Sequence, residues 1–143
     1  MIKKEHIKTI ESVGSWEEAI WIASEPLLQD QSITEQYVQK MISNVREMGP
    51  YIVISNDIAI PHARPEDGVL KTAVALLKLK DRVVFSPEKS VNTILVLAGS
   101  SNGSHINILR DISMILSNKE NYQKLIDADD VNVLYTILNG KEV

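Results

Sequence analysis

The chain has 143 residues, of which 44% are hydrophobic and 24% charged, and this size and composition predict one globular domain with its own hydrophobic core. It contains no cysteine, which excludes disulfides, thiolate metal sites and any reaction that needs a thiol of its own. The formal net charge is −4, and the basic residues are scattered among acidic ones, so we do not expect nucleic acid as a partner.

Hydropathy along the chain argues against a membrane-spanning protein and against a secreted one. No apolar segment approaches the roughly 18 to 20 residues that a membrane span requires, and the opening residues lack the apolar core of a signal peptide. We therefore expect a soluble, cytoplasmic protein.

The N-terminal segment predicts little regular structure before its first helix. Residues 3–10 indicate a short helix or an arm, and His6, which stands among lysines, is expected to be solvated. Ser15 has capping-box spacing to an acidic residue three positions later, and the apolar spacing beyond it predicts a helix over residues 16–24. Pro26 is expected to end that helix.

A stronger helix signal follows. Thr34 is the predicted N-cap, and Gly49 and Pro50 are typical of a helix C-terminus. Arg46 lies in the last turn, where a cation suits the helix dipole, and this is its structural interpretation. The apolar face repeats at helical spacing through Val38, Met41, Ile42 and Val45.

Residues 51–69, YIVISNDIAIPHARPEDGV, are the most informative stretch. Two short apolar runs lead to His62, and Pro61 and Pro65 restrict the backbone on both sides of it, so we expect His62 at the end of a strand. Histidine can be neutral and nucleophilic near neutral pH, which makes His62 a candidate reactive group. A histidine satisfied by backbone hydrogen bonds is the alternative that the residues leave open.

The second half of the chain begins with strands. Residues 72–79 predict a strand, residues 81–82 a turn and residues 83–85 a short strand. The continuous apolar run at residues 93–98 is typical of a central strand covered on both faces. Small polar residues at 99–104 follow it, and ligand sites cluster at such strand-to-helix junctions in α/β sheets.

Helices are predicted for the rest of the chain. His105 stands at the start of the first, and two shorter helices follow, the last with Asp130 as its N-cap and Gly140 past its end. Helices flanking four or five short strands predict the α/β fold class, in one domain spanning residues 1–143. The expected buried face of the helix that begins near His105 consists of Ile106, Leu109, Ile112 and Leu116.

His62, His105 and Arg46 are the candidate site residues. In a phosphoryl transfer, neutral His62 would attack phosphorus, and donors on Arg46 and His105 would offset charge on the phosphoryl oxygens. Capping, packing or helix-dipole roles for His105 and Arg46 stay open at this point. A metal site built from His6, His62 and His105 lacks ligand spacing, and the sequence has no P-loop.

The segment IAIPHA at residues 58–63 resembles the signature around the phosphorylated histidine of enzyme IIA components of the bacterial phosphoenolpyruvate-dependent sugar phosphotransferase system. Tyr37, Met41 and Arg46, ahead of GPYIVI, match that family's approach to its site, and the resemblance extends from about residue 15 to the end. It implies the mannitol/fructose-type IIA fold, a short mixed β-sheet flanked by helices. The longer string GPYIVISNDIAIPHARPEDGV is most similar to the ascorbate branch.

The resemblance also implies a relay. HPr would donate a phosphoryl group to His62, which would pass it to a cysteine of a separate IIB component, and a membrane IIC component would move the sugar. His105 and Arg46 match the family's phosphate-stabilising residues, and no cofactor or metal is implied. Ser101 departs from the pattern, because related sequences often carry an acidic residue there. A regulatory, nitrogen-type IIA module that signals by phosphorylation-dependent protein binding is the alternative, and a homodimer is left open.

Overall fold

A computed structural model describes residues 1–140 of the chain, so the last three residues of the predicted domain lie outside it. Two single 3₁₀ turns, Lys4–His6 and Pro65–Asp67, accompany the strands and helices. In chain order these are β1 (Ile7–Ile10), α1 (Trp16–Gln29), α2 (Glu35–Met48), β2 (Ile58–Ala59), β3 (Ala73–Ser86), β4 (Lys89–Ala98), α3 (Asn102–Ser117), α4 (Lys119–Asp127) and α5 (Val131–Leu138).

A four-stranded mixed sheet with the order β1-β3-β4-β2 forms the centre of the fold. Strands β3 and β4 are an antiparallel hairpin, and β1 and β2 add to its two edges as parallel strands. Helices α1 and α2 cover one face of the sheet and α3, α4 and α5 the other. The predicted α/β class, with helices flanking a short mixed sheet, is confirmed.

The central strands are apolar on both faces, as the continuous run at residues 93–98 predicts. Leu77 and Val96 pack with α1 and α2, whereas Leu76 and Leu97 pack with the other three helices. The predicted turn at residues 81–82 is wrong. Strand β3 continues to Ser86 because a shift in its register with β4, between Lys78 and Val83, absorbs the polar residues as an irregularity within the strand.

Three N-terminal expectations are also wrong. Residues 7–10 form strand β1 along β3, and His6 is only 4% exposed. Its Nε2 lies 2.8 Å from Asp30 Oδ2, a contact that replaces the hydrogen bond to water. Pro26 does not end the first helix, which runs on to Gln29. A proline removes only one backbone donor from a helix, and burial of Pro26 in the core offsets that loss.

The stronger helix signals are confirmed. Thr34 caps α2, which ends at Gly49, and Asp130 caps α5. The buried face of α3 is the exception: Ile108 and Ile112 are its buried residues, whereas Ile106, predicted to be buried, is 54% exposed. No helix within residues 1–140 is long and apolar enough to cross a membrane.

Candidate functional site

His62 lies three residues beyond the end of β2, half-buried at the edge of the sheet. Its Nδ1 is 2.8 Å from the backbone oxygen of Ile60. Because a carbonyl oxygen only accepts hydrogen bonds, Nδ1 carries the proton in this contact and Nε2 holds the free lone pair. The local backbone therefore selects the tautomer in which Nε2 is unprotonated.

His105 faces His62 across the site. The centroids of the two imidazole rings are 5.4 Å apart with an interplanar angle of 53°. Burial lowers the pKa of His105 below its ordinary value of 6.5, and the neighbouring His62 lowers it further. Nδ1 of His105 is buried and has no hydrogen-bond partner within the described residues. His105 is thus held near His62 as a neutral ring with unused hydrogen-bonding capacity.

The start of α3 is built to hold His105 in place. Ser101 is the N-cap: its Oγ accepts from Ser104 N at 3.1 Å, and Ser104 Oγ accepts from Ser101 N at 3.0 Å. Gly99 allows the end of β4 to pass close to this turn, because a Cβ there would lie 2.7 Å from the Cα of His105. The small polar residues at 99–104 therefore set the position of His105.

An open cleft of about 530 Å³ surrounds the two histidines. Tyr51, whose ring meets His62 edge-on at 6.0 Å, is 43% exposed and gives the rim an apolar part. The sequence does not predict the other polar groups of the cleft. The apolar pattern of a helix shows which face is buried, but it does not show which exposed residues lie next to a distant loop. These groups are Lys40, Asn44 and Glu47 of α2, Arg64 and Asp67 beyond His62, and Asn102 of α3.

Arg46 does not line this cleft. Its Nη2 lies 3.4 Å from Glu17 Oε2, and the side chain is 62% exposed. The residues of α2 that face the cleft include three at four-residue spacing, Lys40, Asn44 and Met48. Arg46 follows Asn44 by two positions and so lies roughly 200° further around the helix. The structure thus brings His62 and His105 together and leaves Arg46 on another face of α2.

The three histidines do not form a common site. His6 is bound to Asp30 beside the end of α1, whereas His62 and His105 share the cleft. The cleft thus holds the Nε2 atom of His62, the imidazole of His105 beside it and an open approach from solvent.

Comparison with known protein families gives a match over residues 1–141 to the model described as "Phosphoenolpyruvate-dependent sugar phosphotransferase system, EIIA 2". The mannitol-specific phosphotransferase enzyme IIA component of Bacillus subtilis is 33% identical over 97% of this chain and 96% of its own length. The ascorbate-specific EIIA component of Escherichia coli is 30% identical over 78% of this chain and 74% of its own. Both sugar branches are thus represented among the similar proteins.

Among solved structures, the complex of enzyme IIAMtl and phosphorylated enzyme IIBMtl from Escherichia coli contains a chain of the same fold. The TM-score is 0.82 at 26% sequence identity, and the match covers 99% of each chain. The mannitol-type fold expected from the sequence is therefore confirmed.

Proposed function

Because the chain belongs to the EIIA type 2 family of the phosphoenolpyruvate-dependent sugar phosphotransferase system, we propose that His62 is the residue on which it carries the phosphoryl group. Members of this family are phosphotransferases with a phosphohistidine intermediate. The observation that carries the proposal is the contact between Nδ1 of His62 and the oxygen of Ile60, at 2.8 Å, which leaves the lone pair on Nε2 free.

Two displacements at phosphorus make up the reaction. In the first, the Nε2 lone pair of His62 attacks the phosphorus of phospho-HPr, and the P–N bond of the donor breaks with its electron pair returning to the donor nitrogen. In the second, a thiolate of the IIB component attacks, and the P–N bond to His62 breaks with its pair returning to Nε2. The chain has no cysteine, so the second nucleophile comes from a partner.

His105 stabilises the phosphoryl group in this proposal. Its ring lies 5.4 Å from that of His62, and the negative charge of a phosphoryl group on His62 favours a protonated His105 that donates to the phosphoryl oxygens. Arg46 is proposed for the same role on the resemblance alone, and to act it must leave Glu17.

Replacing His105 by alanine should slow transfer about 100-fold. An unchanged rate in either His105→Ala or Arg46→Ala would leave that residue with a structural role only.

The proposed partners are HPr as donor and a IIB protein as acceptor, with a membrane IIC protein acting indirectly. The family assignment supports HPr, and the solved complex of a IIA of this fold with phosphorylated IIB supports the second partner. The proposed compartment is the cytoplasm, where phosphoenolpyruvate is made. A regulatory output without transfer to IIB is the outcome that would replace this proposal.

Ascorbate is the proposed sugar, on the basis of the string GPYIVISNDIAIPHARPEDGV. The experiment is to phosphorylate the protein with enzyme I and HPr and to follow transfer to the IIB components of an ascorbate and a mannitol system. We expect the ascorbate IIB to be favoured by at least about tenfold. The reverse preference would assign mannitol, and transfer to neither would favour the regulatory alternative.

A further inference from the structure

The hydrogen-bond ladder between β2 and β4 is interrupted just beyond His62. The parallel register pairs Ile58 with Thr93 and Ala59 with Ile94, so that, if continued, it places His62 opposite Leu97. The Leu97 amide donates to the oxygen of Pro61 at 3.0 Å, as a parallel ladder requires. The next bond of the ladder would join the Ala63 amide directly to the oxygen of Leu97.

The hydroxyl of Tyr37 occupies the place of that bond. It accepts from the Ala63 amide at 3.0 Å and donates to the Leu97 oxygen at 2.7 Å. Tyr37 is fully buried, and burial raises the pKa of its hydroxyl to about 12, so the group stays protonated and can make both bonds at neutral pH. A side chain from α2 thus separates the two strands by the width of one oxygen atom.

We propose that Tyr37 is a positioning residue for phosphoryl transfer, whose inserted hydroxyl holds the backbone after His62 away from β4 and so directs the imidazole into the cleft. This inference rests on the proposed role of His62 as the phosphoryl acceptor. Leu97 then fixes the backbone on both sides of His62, directly at Pro61 and through Tyr37 at Ala63.

The start of α2 holds Tyr37 rigidly enough for this role. The Tyr37 amide is bonded to the cap Thr34, whose own amide donates to the oxygen of Gly68 at 3.0 Å. A Cβ at Gly68 would lie 2.3 Å from Thr34 Oγ1, so the segment after His62 packs directly against the first turn of α2. The tyrosine and the loop that it positions are therefore joined by hydrogen bonds and by direct packing.

Removing only the hydroxyl has two possible structural outcomes. Either the Ala63 amide and the Leu97 oxygen remain apart and unsatisfied in a buried site, or the ladder closes and Ala63 shifts toward β4. Both change the backbone between Ile60 and Ala63, on which the contact of His62 Nδ1 depends. We expect His62 to lose its single tautomer in either case.

The test compares Tyr37→Phe with Tyr122→Phe. Tyr122→Phe also removes a hydroxyl that has two partners, Ser55 Oγ at 2.6 Å and Asp57 Oδ2 at 2.8 Å. Tyr122 does not line the cleft, so this variant is the control. Two readouts are needed: the kcat and KM for phospho-HPr, and the ¹⁵N shifts of the His62 ring, which report the tautomer. A purely structural role for the hydroxyl would lower stability in both variants and leave both readouts unchanged.

For Tyr37→Phe we expect kcat to fall about 10- to 100-fold at unchanged KM, with ¹⁵N shifts that show mixed tautomers. Tyr122→Phe should retain the native kcat and tautomer. Native kcat and tautomer in a folded Tyr37→Phe would overturn the inference. If that variant does not fold, 3-fluorotyrosine at position 37 keeps the shape and weakens the hydroxyl as an acceptor, and unchanged readouts there would overturn the inference equally.

The two proposals fail separately in this experiment. If the unsubstituted protein is not phosphorylated on His62, the proposed function is wrong, whatever Tyr37 does. If it is phosphorylated and Tyr37→Phe behaves as the native protein, only the positioning role is wrong.

Discussion

At the scale of single residues, the cleft pairs a histidine whose tautomer is fixed by a backbone contact with a histidine that can gain a proton. The contact with Ile60 fixes the tautomer of His62, whereas Nδ1 of His105 has no partner within the part of the chain that the structure describes. A buried, neutral imidazole can gain a proton when negative charge arrives beside it. The same pair of residues can therefore present different charges before and after phosphorylation.

This arrangement predicts how His105 titrates. In the unphosphorylated protein its pKa is held below 6.5 by burial and by His62, so the unfolded chain binds the proton more readily and this histidine makes the fold more stable as pH rises through that range. A phosphoryl group on His62 should raise the titration midpoint of His105. The midpoint can be followed by NMR in both states, and no rise on phosphorylation would show that His105 does not meet the phosphoryl group.

At the scale of secondary structure elements, the approach of β4 to α3 positions His105. Gly99→Ala would place a methyl group 2.7 Å from the Cα of His105 and 2.8 Å from its backbone nitrogen, so the first turn of α3 must move. We expect a loss of about 1–3 kcal/mol in the free energy of unfolding, together with slower phosphoryl transfer. Denaturant unfolding and the transfer rate measure the two effects.

Gly103→Ala is the matched control for this substitution. Gly103 lies in the same turn, and the nearest atom to its Cβ position is Ser101 Oγ at 3.9 Å. A helical alanine there should stabilise the protein by up to about 1 kcal/mol without changing transfer. Equal effects of the two substitutions would contradict the proposed role of the close approach at Gly99.

A buried lysine joins the sheet to α4. Lys78, 3% exposed, donates to the backbone oxygens of Leu125 and Ile126 at 2.7 and 2.8 Å, at the C-terminal end of that helix. Lys78→Met should cost about 1–3 kcal/mol of unfolding free energy, since buried carbonyl groups lose a donor. Lys80→Met, at a side chain that is 75% exposed, should cost close to nothing.

The same lysine predicts a pH dependence. Burial lowers the pKa of Lys78 from 10.5 to about 8, so between these values the unfolded chain holds a proton that the folded protein does not. Relative to Lys78→Met, the native protein should therefore gain stability as pH rises from 8 to 10.5. A difference between the two proteins that does not vary with pH in this range would show that the amine is not destabilised by burial.

The sequence predicts elements well where the signal is local. Helix α2 carries its cap, its apolar face and its terminator within its own residues, and the structure reproduces all three. The sequence does not predict strand β1, because its hydrogen-bond partner is β3, more than sixty residues away. The sequence does not show that α1 continues past Pro26 either, because distant residues bury that proline. The sequence places His62 at a strand end and His105 at a strand-to-helix junction, which marks both as candidates. The insertion of the Tyr37 hydroxyl between Ala63 and Leu97 depends on three separate elements and has no local sequence signal.

At the scale of the whole molecule, two hydrophobic cores share one sheet. Trp16 and Trp21 both pack on the side of α1 and α2, so tryptophan fluorescence reports on that core, whereas far-ultraviolet circular dichroism includes the helices of the other. Because β3 and β4 contribute alternate residues to both cores, we expect the two signals to give the same thermal midpoint. Separate midpoints would show that the helical layers unfold independently.

Intact mass shows whether His62 carries the phosphoryl group. The native protein and His62→Ala are incubated with phosphoenolpyruvate, enzyme I and HPr, and intact masses are recorded before and after acid treatment. We expect the native protein to gain a single acid-labile phosphoryl group and His62→Ala to gain none. A native protein that gains no phosphoryl group, or a His62→Ala variant that gains it equally well, would show that His62 is not the phosphoryl acceptor.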